Sequence, residues 1–407
     1  MWEFNYGEWT EAYVFLRLLG NGRIYAADRN FVRDENVYLD ILEIIRYEKE
    51  HILRFKRELE EIRSSDNGVV FKVITPAELT EKADHLYNVI RSITTADRKF
   101  SVPDIEDYLK DLRFSQPKVP KLPVDIEERY GKKADIIVTL QDSTDRAVST
   151  TGFSIKSHLG SSSTLFNSAL TSNFKYEIEG CTEDEMNIIN GQYIESETGM
   201  FDYIKTNPHL TLRFIDTSEE FKSNLDFIEL KMSDILGCAL LIQIGYFDKA
   251  DSSKTRDIVE KIVQMNPVEV RRPETWYEAK MKEFLFDSFS GLTASKPWDG
   301  RRLLSGGYID VGRNGEMLYY RAVSDDIFST YLYDHTFFDR PSRGVNKDRA
   351  KVIAKAILDG RTVTEDELLA VSMKNDKPKP KKGDWGYVFK EDDGKYYICI
   401  NFQIRFM

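Results

Sequence analysis

The sequence predicts an α/β protein with a mixed sheet at its core, a helical insertion ahead of it and β-hairpins toward the C-terminus. Three observations carry this. Residues 132–179 (KKADIIVTLQDSTDRAVSTTGFSIKSHLGSSSTLFNSALTSNFKYEIE) alternate β-branched apolar runs with polar turns. Residues 8–19, 36–63 and 77–93 carry apolar side chains at helical spacing. Residues 306–323 and 385–406 each fold back about a turn signal, Arg313-Asn314-Gly315 and Asp392-Asp393-Gly394.

In chain order, Trp9, Ala12, Tyr13, Leu16 and Leu19 mark the first helix, with Glu8 and Glu11 in its opening turns, where acids favour the positive end of the helix dipole. Val37, Ile41, Ile44, Ile45, Ile52 and Phe55 mark a charged helix over 36–63. A short strand (69–74) and two further helices (77–93 and 104–112) follow, and SQPKVPKLPVD (115–125) is a proline-rich linker. Residues 134–140 form a strand with an acid, Asp135, at its start, and 141–151 a polar turn. Residues 152–157 form a second strand, ending in Ser154-Ile155-Lys156-Ser157. Ser161 to Thr164 offer N-caps for a short helix through Ala169, and 174–178 alternates as a strand. A strand at 210–216 precedes an apolar helix or helix pair at 218–246, expected to pack the same sheet. Further helices are expected over 254–265, 274–289, 325–333, 352–358 and 364–372.

Asp135 and Lys156 stand 21 residues apart on two strands joined by a turn (156 − 135), as in a metal-dependent phosphodiesterase. There an acid would hold Mg²⁺ against a phosphate and a lysine would position the attacking water. The plain alternative is a half-buried hairpin with an acid and a base at its solvated ends. In the pattern PD-(D/E)xK, Ala134 stands at the proline and Ser154 at the second acid, so a carboxylate must come from elsewhere.

The wording of FSIKSHLGSSSTLFNSALTSNFKYEI, of GEWTEAYVFLRLLGNGRIYAAD (7–28), of RKFSVPDIEDYL (98–109), of residues 306–320 and of INFQIRF (400–406) closely resembles the HpaII-like type II restriction endonucleases. The resemblance touches both termini and the middle in the same order. It implies a PD-(D/E)xK restriction-endonuclease-like core, Mg²⁺, and double-stranded DNA cut at a short site, CCGG being the family's type target. It further implies a cognate DNA methyltransferase as functional partner and a cytoplasmic location, and it leaves a homodimer open. Several such nucleases take a metal ligand from their first helix. Glu11 is favoured for that role, then Glu8, then Glu177 or Glu179, with the Ile155 carbonyl completing the set beside Asp135. His158 stands where the family more usually has glutamine. It could contact a phosphate or a metal-bound water, or be an ordinary surface histidine.

The 407 residues suffice for two or three lobes, and 41% hydrophobic with 31% charged residues describes a globular chain. The expected division is a first helix and loop (1–34), a mainly helical insertion (35–123), a catalytic core (124–300) and a DNA-recognition region (301–407) with a basic insert at 340–382. No apolar run nears the ~20 residues of a membrane span, and no signal-peptide pattern opens the chain. Cys181, Cys238 and Cys399 lack zinc spacing and read as reduced core residues. A net charge of −11 argues against a nonspecific nucleic-acid coat but leaves room for a local basic cleft. No internal repeat, phosphate loop, dinucleotide fingerprint or hydrolase nucleophile motif is present.

Three stretches are candidates for DNA contact. Ser161 and Ser163 could bind phosphate at a helix start. Arg340 and Arg343 open the basic insert, which ends in Lys374, Lys377, Lys379, Lys381 and Lys382. In 400–406 strict alternation would place Asn401, Gln403 and Arg405 on one face, suited to base edges. Two other functions remain open: a DNA-binding protein without cleavage, and a nuclease of this fold that recognises DNA structure or modification.

Overall fold

Asn5 starts the fold. Its side chain accepts from the Glu8 N–H at 3.0 Å while the Glu8 carboxylate accepts from the Asn5 N–H at 2.9 Å, a reciprocal cap for helix α1, Tyr6–Asn21. Gly22, at φ 70, closes that helix by donating to the Leu18 carbonyl. The computed structural model describes residues 1–407 except 29, 31, 94–98, 132–133, 161–162, 196–198, 303–305, 322–324, 342–351, 353–354, 357–358, 362–372, 375–376 and 379–387. The chain divides into two compact units, residues 1–163 with 302–331 and residues 164–301 with 332–407.

The first unit is built on one mixed sheet. Its strands are β1 (Arg23–Ala27), β2 (Arg33–Glu48), β3 (His51–Arg57), β4 (Ile62–Asp66), β5 (Val69–Ile74), β6 (Ile136–Asp142), β7 (Val148–Ser157), β11 (Gly307–Val311) and β12 (Met317–Arg321). Their order is β1-β12-β11-β7-β6-β2-β3-β4-β5. β11 runs parallel to β7 and β1 parallel to β12, while β6 and β7 are antiparallel. Trp9, Ala12, Leu16 and Leu19 of α1 share a core with Ile136, Val138, Phe153, Ile155 and Ile309.

The helix expected over 36–63 is not formed. That stretch makes β2, β3 and the start of β4. Leu39, Ile41, Ile44 and Ile45 of β2 pair along β6, from Leu39 opposite Asp142 to Ile45 opposite Ile137, and all four are buried. Residues 37, 39 and 41 also fit a period of two, and long-range pairing decided the ambiguity. Among the described residues, the helical part of the expected insertion is confined to α2 (Pro76–Ser92) and α3 (Pro103–Asp111), and α4 (Val124–Tyr130) follows it.

The second unit begins with another departure. In place of a helix from Ser161 to Ala169, Thr164–Phe166 is a strand (β8), followed by a 3₁₀ turn at Leu170–Ser172. Leu165 and Phe166 are buried, and the Phe166 ring lies 5.1 Å from Phe221 and 5.4 Å from Phe402. β9 (Asn173–Glu179) and β10 (Thr211–Thr217) join two C-terminal strands in a sheet ordered β10-β9-β17-β16. Those strands, β16 (Val388–Lys390) and β17 (Tyr396–Asn401), form the expected hairpin. A smaller sheet orders β13 (Thr336–Phe338), β18 (Ile404–Phe406) and β8 as β13-β18-β8, and Met373–Lys374 (β14) pairs with Lys377–Pro378 (β15).

α5 (Glu183–Glu195) and α6 (Gly199–Thr206) precede β10, and α9 (Thr255–Met265), α10 (Pro273–Ser290) and α11 (Asp325–His335) follow later. The apolar stretch at 218–246 forms two helices, α7 (Glu219–Asp226) and α8 (Met232–Gln243). α8 packs on β10, its Gly237 so close that a Cβ would meet the Phe214 ring at 3.0 Å. It therefore supports the second unit's sheet, not the sheet of Asp135 and Lys156 that it was expected to cover. Cys181, Cys238 and Cys399 are free thiols. No described helix is long and apolar enough to cross a membrane.

Phe402 sits among the rings of Phe166, Phe174, Phe284 and Phe338, all between 5.4 and 5.8 Å away, and is fully buried. Truncating such a ring removes its burial and leaves a cavity. Phe402→Ala is expected to cost about 3–5 kcal/mol in denaturant unfolding. A loss under about 1 kcal/mol would show that these rings do not form the second unit's core.

Candidate active site

Asp135 lies one residue ahead of β6 and is half-buried. Its N–H donates to the Phe153 carbonyl at 2.8 Å. Its carboxylate Oδ2 accepts from the Ile155 N–H at 2.8 Å and from the Ser154 hydroxyl at 3.1 Å. Ser154 thus supplies no carboxylate but orients the one that is present. Close approach is enforced next door: a Cβ on Gly152 would fall 2.2 Å from the Tyr130 carbonyl oxygen. Lys156 follows Ser154 by two on the same strand face and is half-buried.

The carboxylate that the structure brings beside Asp135 is Glu11, from the second turn of α1. Its Oε2 accepts from the Val119 N–H at 2.8 Å. Burial, and after it the charge of Asp135, pushes the Glu11 carboxyl well above the usual carboxylate range. The Val119 N–H, Arg46 and Lys118 oppose that rise. Glu8 is engaged otherwise: burial alone would raise its pKa, but Lys118, 2.5 Å away, and the Asn5 N–H hold it below the usual value. Glu177 and Glu179 belong to β9 of the second unit, where Arg213 pairs with both. Of the four candidate glutamates, Glu11 is the one whose charge interacts with Asp135.

Two acids whose charges act on each other suit a hard divalent cation, which would relieve their repulsion. Among the described residues no three His, Cys, Asp or Glu side chains converge as a metal-binding group. A cation here would therefore take its remaining ligands from backbone carbonyl, water and phosphate oxygens, a habit of hard cations that keep part of their water.

His158 is not an ordinary surface histidine. Its N–H donates to the Val311 carbonyl at 2.9 Å, and its Nε2 lies 2.9 Å from Oδ1 of Asp310. Asp310 is 1% exposed and also accepts from the hydroxyls of Tyr331 at 2.9 Å and Tyr308 at 3.2 Å. Burial, followed by the charge of Asp310, raises both tyrosines well above their ordinary pKa. Asp310 is the register partner of Lys156 across β7 and β11, so Lys156, His158 and Asp310 share one sheet face. The sequence reading missed Asp310, Tyr308 and Tyr331. The available signal was an acid inside GYIDV, a strand buried at all five positions.

The expected face of Asn401, Gln403 and Arg405 does not form. β17 ends at Asn401 and β18 starts at Ile404, because Phe402 turns into the core and its N–H donates to the Ser172 carbonyl at 3.0 Å. Asn401 is fully buried, its amide donating to the Ala169 carbonyl and the Asn173 side chain, both at 2.9 Å. Gln403 is 6% exposed. Arg405 pairs with Asp339 at 2.6 Å. Arg340 is exposed. Ser163 does not open a helix and buries its hydroxyl. Ser161, Arg343 and most of the basic insert lie outside the described residues.

A sequence model of the HpaII restriction endonuclease family matches residues 5–354. The chain belongs to this family. A relative, the type II restriction enzyme HpaII of Haemophilus parainfluenzae, is 32% identical over 347 residues, 83% of this chain and 90% of that protein. No solved structure matches. As a member of the HpaII restriction endonuclease family the chain is a type II site-specific endonuclease acting on double-stranded DNA. The matched span contains Glu11, Asp135, Lys156, His158 and Asp310 and ends before Asn401.

Because the folded Glu11 carboxyl has a raised pKa, the stability it contributes is full below the ordinary carboxylate value and is lost as pH climbs through the folded one. In chelator, the wild-type melting temperature should fall across that window, and Glu11→Gln should fall less. The variant can still accept from Val119. Parallel melting curves over that range would show that Glu11 does not feel Asp135.

Proposed function

We propose that the protein hydrolyses phosphodiester bonds of double-stranded DNA with Mg²⁺ by PD-(D/E)xK chemistry, Asp135 and Glu11 holding the cation and Lys156 acting on the phosphate. The observation that carries this is the Asp135 carboxylate, fixed by Ile155 and Ser154 with Glu11 beside it and Lys156 two residues on. The Ile155 carbonyl would complete the protein's ligands. Bound there, Mg²⁺ would supply a Lewis acid and a water of lowered pKa. Lys156 would position that water and stabilise charge on the phosphorus. Attack by water displaces the 3′ oxygen and leaves a 5′-phosphate. Glu11 answers the objection raised by Ser154: the lost acid need not mean lost cleavage, so the reading as a DNA-binding protein without cleavage is disfavoured.

For recognition, Arg405, paired with Asp339, and the neighbouring exposed Arg340 are the reading we favour, at a short site of the CCGG kind. Arg405 keeps 30% of its side chain exposed, and its planar fork could exchange Asp339 for guanine O6 and N7. Asn401 is committed to the fold and is withdrawn from this role. A cognate methyltransferase and a homodimer fit the same biology.

Plasmid cleavage in Mg²⁺ against EDTA tests the reaction, and sequencing the ends of cut phage DNA gives the site. Asp135→Ala and Lys156→Ala should each lower cleavage at least about 100-fold while leaving the fold intact. Cutting at the wild-type rate by either variant would remove it from the site. Arg405→Ala should cost roughly 1–3 kcal/mol in binding to the cut sequence, with unrelated DNA little changed. An equal loss on both would make Arg405 a phosphate contact.

A further inference from the structure

Arg46 stands on β2, in the sheet that carries Asp135, with 4% of its side chain exposed. A guanidinium so far out of water is costly unless its donors are met. Here they are met in a particular way. Nε donates to Glu48 Oε1 at 2.6 Å. Nη2 donates to two backbone carbonyls, Gln116 at 2.8 Å and Lys118 at 2.5 Å. The guanidinium also lies over the Phe114 ring, 3.9 Å from its centre. The other Glu48 oxygen accepts from the Ser115 hydroxyl. Arg46 and Glu48 together therefore grip residues 115–118.

The next residue of that segment carries the bond that matters. Val119 donates its N–H to Glu11, and Lys118 reaches Glu8. Pro117 and Pro120 flank the pair and stiffen the backbone on both sides. By composition this stretch reads only as a linker, but its contacts join a buried ion pair to a carboxylate of the cation site.

We propose that Arg46 is the positioning residue of the cation site: its hold on the Gln116 and Lys118 carbonyls fixes the Val119 N–H, which sets the Glu11 carboxylate beside Asp135. This rests on the reading of Glu11 as a cation ligand. An outer partner of this kind acts on cation affinity, and losing one typically costs 10–100-fold. Arg46 and Lys118 also place positive charge near Glu11, favouring the ionised form that a cation needs.

The test titrates Mn²⁺ into the full chain, read by the rise in melting temperature, and compares the cation needed for half-maximal plasmid cleavage. Arg46→Lys keeps the charge but cannot bridge both carbonyls and Glu48. Val119→Pro keeps Arg46 and removes the donor to Glu11, and Val119→Ala, which keeps the N–H, controls for the loss of the valine side chain packed near Leu122. Arg46→Lys and Val119→Pro should each raise the half-saturating cation concentration about tenfold, with cleavage at saturating cation within about threefold of wild type. Should Arg46→Lys not fold, Val119→Pro decides. Wild-type titration by Val119→Pro, alongside a weakened response in Glu11→Gln, would overturn the role of Arg46 and leave Glu11 standing. Wild-type titration by Glu11→Gln would overturn both.

Discussion

Two acidic side chains whose charges act on each other, Asp135 and Glu11, are the constraint on which the proposed site of the first unit depends. Asp135 is fixed from one side by the Ile155 N–H and the Ser154 hydroxyl, and Glu11 from the other by the Val119 N–H. Each carboxyl is held by fixed donors, and burial, followed by the charge of Asp135, raises the Glu11 pKa. On the proposed reading, a site whose acids are already held gains more from a cation than one assembled on binding.

Ser154 makes sense within that arrangement. A second acid at this position would put another negative charge against Asp135. A hydroxyl donates to Asp135, and on the proposed reading the second charge comes from the first helix, which the Asn5–Glu8 cap starts. The adjoining strand adds a different kind of control. Asp310, opposite Lys156, is enclosed by His158, Tyr308 and Tyr331, and the rings of Tyr308 and Tyr320 stack at 5.3 Å over the same sheet face.

The strands next to Asp135 and bearing Lys156 were legible in the sequence because strand alternation is local, and the helix bearing Glu11 because its apolar spacing is local too. What could not be read there depends on partners distant in the chain. Residues 36–63 carry apolar positions compatible with either period, and pairing with β6, about a hundred residues on, settled it. INFQIRF alternates on paper, yet the aromatic cluster at 166, 174, 221 and 284 draws Phe402 inward and splits the strand. Asp310 and Arg46 went unread for a common reason: a charged residue in an apolar strand shows its purpose only when its partners are seen.

The charge balance gives the last step. The chain has 68 acids against 57 Lys and Arg, yet its substrate is a polyanion. Many guanidiniums of the described structure already face carboxylates: Arg17 with Asp84, Arg213 with Glu177 and Glu179, Arg405 with Asp339. For such an arginine, meeting a DNA phosphate exchanges one anion for another, and the net gain is small. A carboxylate also offers the fork two acceptors, but a guanine edge offers them only where the base sequence places a guanine, so the exchange is rewarded only there. On the proposed reading, an acidic chain therefore discriminates by making the nonspecific exchange nearly neutral, and leaves the attraction to phosphate to a cation held between Asp135 and Glu11.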